Sequence, residues 1–166
     1  MVFIILATAF VISAWKWGDW KNWKLYHSTI LYFVLGDMFY NYLSTDYPLW
    51  LHLPVDPIHR YLVVKLLVQL CFVCTALIYL GRYPKERWKA ILWIGFWVTC
   101  YSLIEGGLIL MDAMKHYNGW TFLHSVFFNC MMFPMLRLHF KRPLLAYILS
   151  VPIVIALLKM TQLPFR

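Results

Sequence analysis

Six runs of apolar residues, at about 1–17, 28–50, 60–80, 88–111, 119–137 and 143–160, alternate with short polar connections along the 166-residue chain. Each run approaches the roughly 20 residues that an α-helix needs to cross a hydrocarbon core. The pattern predicts an all-α integral membrane bundle of about six transmembrane helices, forming a single transmembrane domain over 1–166. The first run, MVFIILATAF, lacks a basic n-region. It leads into Trp15-Lys16-Trp17 and not into a small-residue cleavage site, so it reads as a helix and not as a secretory signal.

Composition agrees with this pattern. Charged residues form only 13% of the chain and apolar ones 63%, with a mean hydropathy of +0.66. A water-soluble fold of this size cannot hide so much apolar surface, because its surface-to-volume ratio is too high. The net charge of +8 does not mark a nucleic-acid binder, since the basic residues are scattered through short connections with no aromatic-basic groove among them. No nucleic-acid partner and no cofactor are expected.

Those basic residues write the orientation instead. The first, third and fifth connections hold ten of them: Lys16, Lys21, Lys24, Arg82, Lys85, Arg87, Lys89, Arg137, Lys141 and Arg142. The remaining connections and the C-terminal end hold four, Arg60, Lys115, Lys159 and Arg166, while Lys65 falls inside the third run. The positive-inside rule then places the ten in the cytoplasm and both termini on the extracytoplasmic side. In WKWGDWKNWK (15–24), Trp alternates with Lys, as in a headgroup-level aromatic belt. An in-plane amphipathic helix fits less well, because Lys24 falls within the arc of Trp17, Trp20 and Trp23. Trp15, Trp17, Trp20, Trp23, Trp50 and Trp120 are the expected interfacial anchors. The stretch DYPLWLHLPVDP (46–57), with three prolines, reads as an outer loop, and GRYPKERWK (81–89) as a tight cytoplasmic turn.

Polar residues inside the apolar runs are the candidate chemistry. Asp37 and Asn41 lie one turn apart in LYFVLGDMFYNYL, Lys65 and Gln69 in the third run, Glu105 before Gly106-Gly107 in the fourth, and His124 and Asn129 in the fifth. An Asp or Lys at a helix centre costs about 2.5–3.5 kcal/mol on insertion scales and usually faces a partner or a cavity. Counted from the outer helix ends, Asn41 sits about nine residues in, Lys65 about five, Glu105 about seven and His124 about six. At about 1.5 Å per residue these levels agree to within roughly 6 Å. Asp37 falls a turn deeper. The expectation is one polar pocket of Asp37, Asn41, Lys65, Glu105, His124 and Asn129, with Lys65 as counter-ion to Glu105 or Asp37. Against it stand ordinary uses of such residues: Lys65 snorkelling, Asn41, Gln69 and Asn129 as interhelical glue, and Gly106-Gly107 easing helix approach.

Catalytic signatures are missing. Gly36-Asp37 has Val34 where intramembrane aspartyl proteases carry Gly, and there is no second midplane Asp. H-E-x-x-H and G-x-S-x-G do not occur, and two facing haem histidines are not available. His52, His59 and His116 match no strong metal template, so no metal site is assigned. Cys71, Cys74, Cys100 and Cys130 lie inside apolar runs. This suits buried thiols better than disulfides, and the C-x-x-C pair is too deep for easy thiolate formation.

Several segments together resemble a family of small uncharacterised multi-pass membrane proteins common in spore-forming Gram-positive bacteria. They are WKWGDWKNWK (15–24), GDMFYNYL (36–43), YPLW (47–50), YLGRYPK (79–85), YSLIE (101–105), HYNGW (116–120), FN (128–129) and RPLLAYILS (142–150). The resemblance spans nearly the whole chain. It implies residence in the bacterial cytoplasmic membrane and brings no established activity or ligand; a link to sporulation is suggested only by which bacteria carry such proteins. Asp37, Asn41, Glu105 and Asn129 fall within the matching segments, whereas Lys65 and His124 do not.

Three functions follow. The favoured one is non-enzymatic binding of membrane lipid, another membrane protein or a second copy of the chain. The alternative is a small transporter or channel passing a proton or polar solute along Asp37 and Glu105. The third is an intramembrane acid–base enzyme using the same carboxylates.

Overall fold

The computed structural model of the chain describes residues 1–53 and 61–161. Among them lie six α-helices: α1 Val2–Trp17, α2 Trp23–Leu43, α3 Tyr61–Gly81, α4 Arg87–Leu110, α5 Phe122–Lys141 and α6 Pro143–Met160. A 3-10 turn, Trp20–Asn22, joins α1 to α2, and two short strands, β1 Trp50–His52 and β2 Met114–His116, pair antiparallel. His59, Arg60 and Arg166 lie outside the described residues.

The architecture is all-α, and α3 is its spine. Residues from Cys74 to Leu80 are buried in an unbroken run, with α1 and α2 packed on α3, α4 and α6 on α5, and α5 against α2 and α3. Phe3, Val64, Leu108 and Ala113 cluster at one end, whereas Ala14, Leu77 and Leu80 cluster towards the other. The start of α1, the start of α3 and the end of α4 therefore share the end that carries the ribbon. The end of α6 joins them, where Leu157 and Leu158 pack on Leu49 and Trp120. All ten basic residues counted above fall on the other side, at the α1–α2, α3–α4 and α5–α6 corners.

The first corner depends on close backbone approach. The Ala14 carbonyl accepts from Gly18 N at 2.7 Å and from Trp20 Nε1 at 2.6 Å, and a Cβ on Gly18 would stand 2.5 Å from that oxygen. Glycine alone fits, and α1 and α2 leave the corner bent by 89°. The second tight place is HYNGW. Asn118 (φ 51°) and Gly119 (φ 78°) both take positive φ while Trp120 N bonds Tyr117 O at 2.9 Å. This is a type I′ turn, with the Asn-Gly pair that turn favours.

Three helices, α3, α4 and α6, are long and apolar enough to cross a membrane, or four if the bent α1–α2 pair is counted as one broken span. The six apolar runs thus correspond to six helices, but not to six equally apolar spans. The second run also ends early. It was expected to continue to 50, yet α2 stops at Leu43, where Ser44 Oγ turns back onto Tyr40 O and Pro48 follows. The expected outer loop contains β1 instead, in the register Trp50↔His116, Leu51↔Lys115, His52↔Met114.

Trp15, Trp17, Trp20 and Trp23 are exposed at the basic end. Trp50 and Trp120 correct the expectation of surface anchors. Trp50 stacks on Tyr40 at 3.9 Å between ring centroids, and Trp120 is only 5% exposed, its Nε1 bonded to Ser125 Oγ. The ribbon folds them inward.

Candidate functional site

A cavity of about 1120 Å³ occupies the ribbon-end half of the bundle. Its walls come from α2 and its C-cap between Tyr32 and Ser44, α5 between Ser125 and Leu136, and α6 and its C-cap between Tyr147 and Thr161, with Tyr101, Ile104, Glu105 and Leu108 from α4. Phe33 and Phe72, stacked at 4.4 Å, contribute at its inner end, and β1 supplies Trp50 and His52. Tyr32 of α2 and Ser44, its C-cap, are twelve residues apart, so at about 1.5 Å per residue the cavity runs about 18 Å along that helix. Leu35, Met38, Phe39 and Tyr42 of α2 and Val151 and Ile155 of α6 line the cavity yet remain exposed, so it opens on the flank of the bundle between these helices.

The roof is held by one phenol. Tyr40 Oη accepts from Leu49 N at 3.0 Å and Trp50 N at 2.9 Å, and donates to Trp50 O at 3.0 Å. With Trp50 stacked on the same ring, and Trp120 and Phe128 at 5.0 and 5.8 Å from Trp50, the ribbon end of the cavity is aromatic.

Of the six expected pocket residues, Asp37, Glu105 and Asn129 line this cavity from three helices, whereas Asn41, Lys65 and His124 do not. Asn41 Nδ2 bonds the Asp37 carbonyl at 2.6 Å, and its Oδ1 accepts from Tyr61 Oη at 3.3 Å. The side chains facing the Asp37 carboxylate are Lys65, Gln69 and Asn41, but its Oδ2 is buried without a hydrogen-bond partner. Lys65 Nζ is likewise buried and unpartnered, 5.3 Å from the Tyr61 ring centroid. It is near Asp37 without touching it. His124 closes a capping box with Thr121 at the start of α5, a local helix-end role.

Glu105 is also not paired as expected. Its Oε1 meets His116 Nε2 at 2.7 Å, and no Lys65–Glu105 pair occurs. A Cβ on Gly106 would touch Phe122 at an ordinary 3.8 Å and one on Gly107 would meet nothing within 4 Å, so this Gly pair does not mark a tight helix crossing. No group of three potential metal ligands occurs among the described residues.

His52 is the residue the sequence did not point to. It is 9% exposed, packs edge-on against Phe3 at 6.0 Å, lines the cavity and has no partner for Nδ1. Burial holds its imidazole well below the usual range, at about 3, and the Lys65 charge pushes the same way. The available signal was strand alternation, since Trp50 and His52, two residues apart, share a face.

Comparison with protein-family models, with curated proteins and with solved structures finds no match to this chain.

Proposed function

We propose that this chain is an integral protein of the bacterial cytoplasmic membrane that holds a lipid-like amphiphile in the flank-opening cavity, without chemistry. The observation carrying this reading is the cavity itself, at about 1120 Å³ larger than the roughly 300–1,000 Å³ of clefts that take drug-sized ligands. Its run of about 18 Å is close to the roughly 15 Å half-thickness of a hydrocarbon core, the reach of one leaflet's chain. Membrane insertion is supported by α6, whose sole buried residue is Ala146 and which would expose an apolar helix to water. With ten basic residues at the opposite corners, the ribbon end faces outward.

A conducting path is less well supported. Between the cavity and the basic end the bundle is filled by Tyr79, Trp97, Phe133 and Leu136, each at most 5% exposed.

Native mass spectrometry of protein released from nanodiscs tests the reading. Gly36 lines the cavity, and a Cβ there meets nothing within 4 Å, so Gly36→Trp fills the space without a backbone clash. The wild type is expected to carry a near-stoichiometric amphiphile that Gly36→Trp lacks. Bare wild-type chain in repeated preparations, or equal occupancy in a folded Gly36→Trp variant, would remove the proposal.

A further inference from the structure

Resting on the amphiphile-binding reading, we infer that the occupant bears a cationic head, an amine or a quaternary ammonium, seated between Asp37, Glu105 and the Tyr40–Trp50–Trp120 aromatic wall. The chain has 15 Lys and Arg against 7 Asp and Glu, yet among the described residues the cavity lining holds two carboxylates and neither Lys nor Arg. That inversion of the overall charge balance is local to this wall.

The other polar groups of the lining are mostly spent within the protein. Ser44 Oγ bonds Tyr40 O, Ser125 Oγ accepts from Trp120 Nε1, Ser150 Oγ pairs with Tyr32 Oη, and Thr161 Oγ1 bonds Leu157 O. What is left open is Asp37 Oδ2, an acceptor, and Nδ1 of the nine-tenths-buried His52. Buried polar atoms are normally satisfied, so these two are exceptions in the cavity wall, both sealed from its open space as the side chains stand.

Aromatic faces carry negative quadrupole charge and attract ammonium groups, quaternary ones included. Tyr40, Trp50, Trp120 and Phe128 present such rings to the same end of the cavity. Lys65 faces Asp37 and its charge also acts on His52, but its ammonium stands off the lining, 5.3 Å from the Tyr61 ring centroid, so it offsets part of the Asp37 charge from outside the cavity. His116 likewise stands behind Glu105, off the lining. A phosphate or carboxylate head entering here would meet two carboxylates and, among the described residues of the lining, no Lys or Arg.

The test compares three probes of equal chain length: tetradecyltrimethylammonium, tetradecanol and tetradecanoate. Each is titrated onto the full chain in phosphatidylglycerol nanodiscs, with Gly36→Trp as the blank for unspecific partitioning. The ammonium probe is expected to bind at least about tenfold more tightly than the alcohol, and the acid most weakly. Asp37→Asn and Glu105→Gln should each remove most of that preference; the two variants are independent checks should one fold poorly. Adding phosphatidylethanolamine to the nanodisc separates two sources of the same chemistry. Competition with the probe assigns the site to an amine-headed lipid, and no competition assigns it to a free cationic amphiphile. Equal binding of the three probes, or an ammonium preference that survives both variants, overturns the charge assignment while leaving the cavity reading intact. If no probe distinguishes wild type from Gly36→Trp, the cavity reading falls too.

Discussion

His116 Nε2 lies 2.7 Å from Glu105 Oε1, tying the second ribbon strand to the last turns of α4. Both side chains are largely buried, at 14% and 12% exposure, so the bond is shielded from water and made to a group that carries charge when ionised. Hydrogen bonds to charged groups contribute about 1.5–3 kcal/mol. His116→Ala and Glu105→Ala should each lower stability by about that amount. The double variant should cost clearly less than their sum, as read from unfolding in detergent. Additivity within about 0.3–0.5 kcal/mol would mean that the two groups do not act together.

His52 gives the ribbon end a pH dependence. Its folded-state value is depressed to about 3 by burial, whereas the unfolded chain takes up the proton near the ordinary 6.5. As pH falls below about 6.5 the unfolded state therefore binds the extra proton first, and stability declines by up to about 1.4 kcal/mol per pH unit until the folded value is reached. Thermal unfolding of wild type and His52→Phe between pH 7 and 4 should show this slope reduced in the variant. Parallel profiles would mean that His52 is not buried as a neutral ring.

Helix content was readable in the apolar runs because alternation between long greasy stretches and charged turns is a property of the chain alone. Depth was not. The level assigned to Asn41 assumed a helix reaching 50, but with α2 ending at Leu43 Asn41 sits in its last turn, and Asp37 moves up to the level of Lys65 and Gln69. That helix end is set by Ser44 and by Tyr40 bonding the ribbon, a tertiary contact that no local pattern announces. Asp37, Glu105 and Asn129 converge on one cavity because each sits on an inward face at the ribbon end. Lys65 and His116 were harder to place. Which base meets Glu105 depends on the strand pairing of Met114–His116, and short strands flanked by proline and turn residues carry little signal of their own.

The α1–α2 corner should be intolerant of any side chain at position 18. A Cβ there falls 2.5 Å from Ala14 O and 3.1 Å from Trp20 Nε1, two atoms already joined by a hydrogen bond. Gly18→Ala must displace one of them, at a cost of about 1–3 kcal/mol typical of overpacking. The expected outcome is a lower unfolding temperature together with faster proteolysis within 15–24. A variant as stable as wild type would show that the corner has room to shift.

Tyr40 joins fold and site. Its hydroxyl satisfies two backbone N–H groups and one carbonyl of the segment entering β1, while its ring supports Trp50. Tyr40→Phe keeps the ring and removes the oxygen, leaving Leu49 N, Trp50 N and Trp50 O to find other partners. Leu49 is only 4% exposed, so water does not reach its N–H freely, and an unsatisfied buried group costs about 1–3 kcal/mol. The variant should unfold at lower temperature, and its Trp emission should shift to the red as Trp50 loosens. Because Trp50 and His52 belong to the cavity wall, amphiphile retention in native mass spectrometry should fall with it. Tyr40→Leu removes the stacking surface as well and should lose more of the ligand than Tyr40→Phe. If Tyr40→Phe matches wild type in both stability and retention, the phenol is not what holds the roof in place.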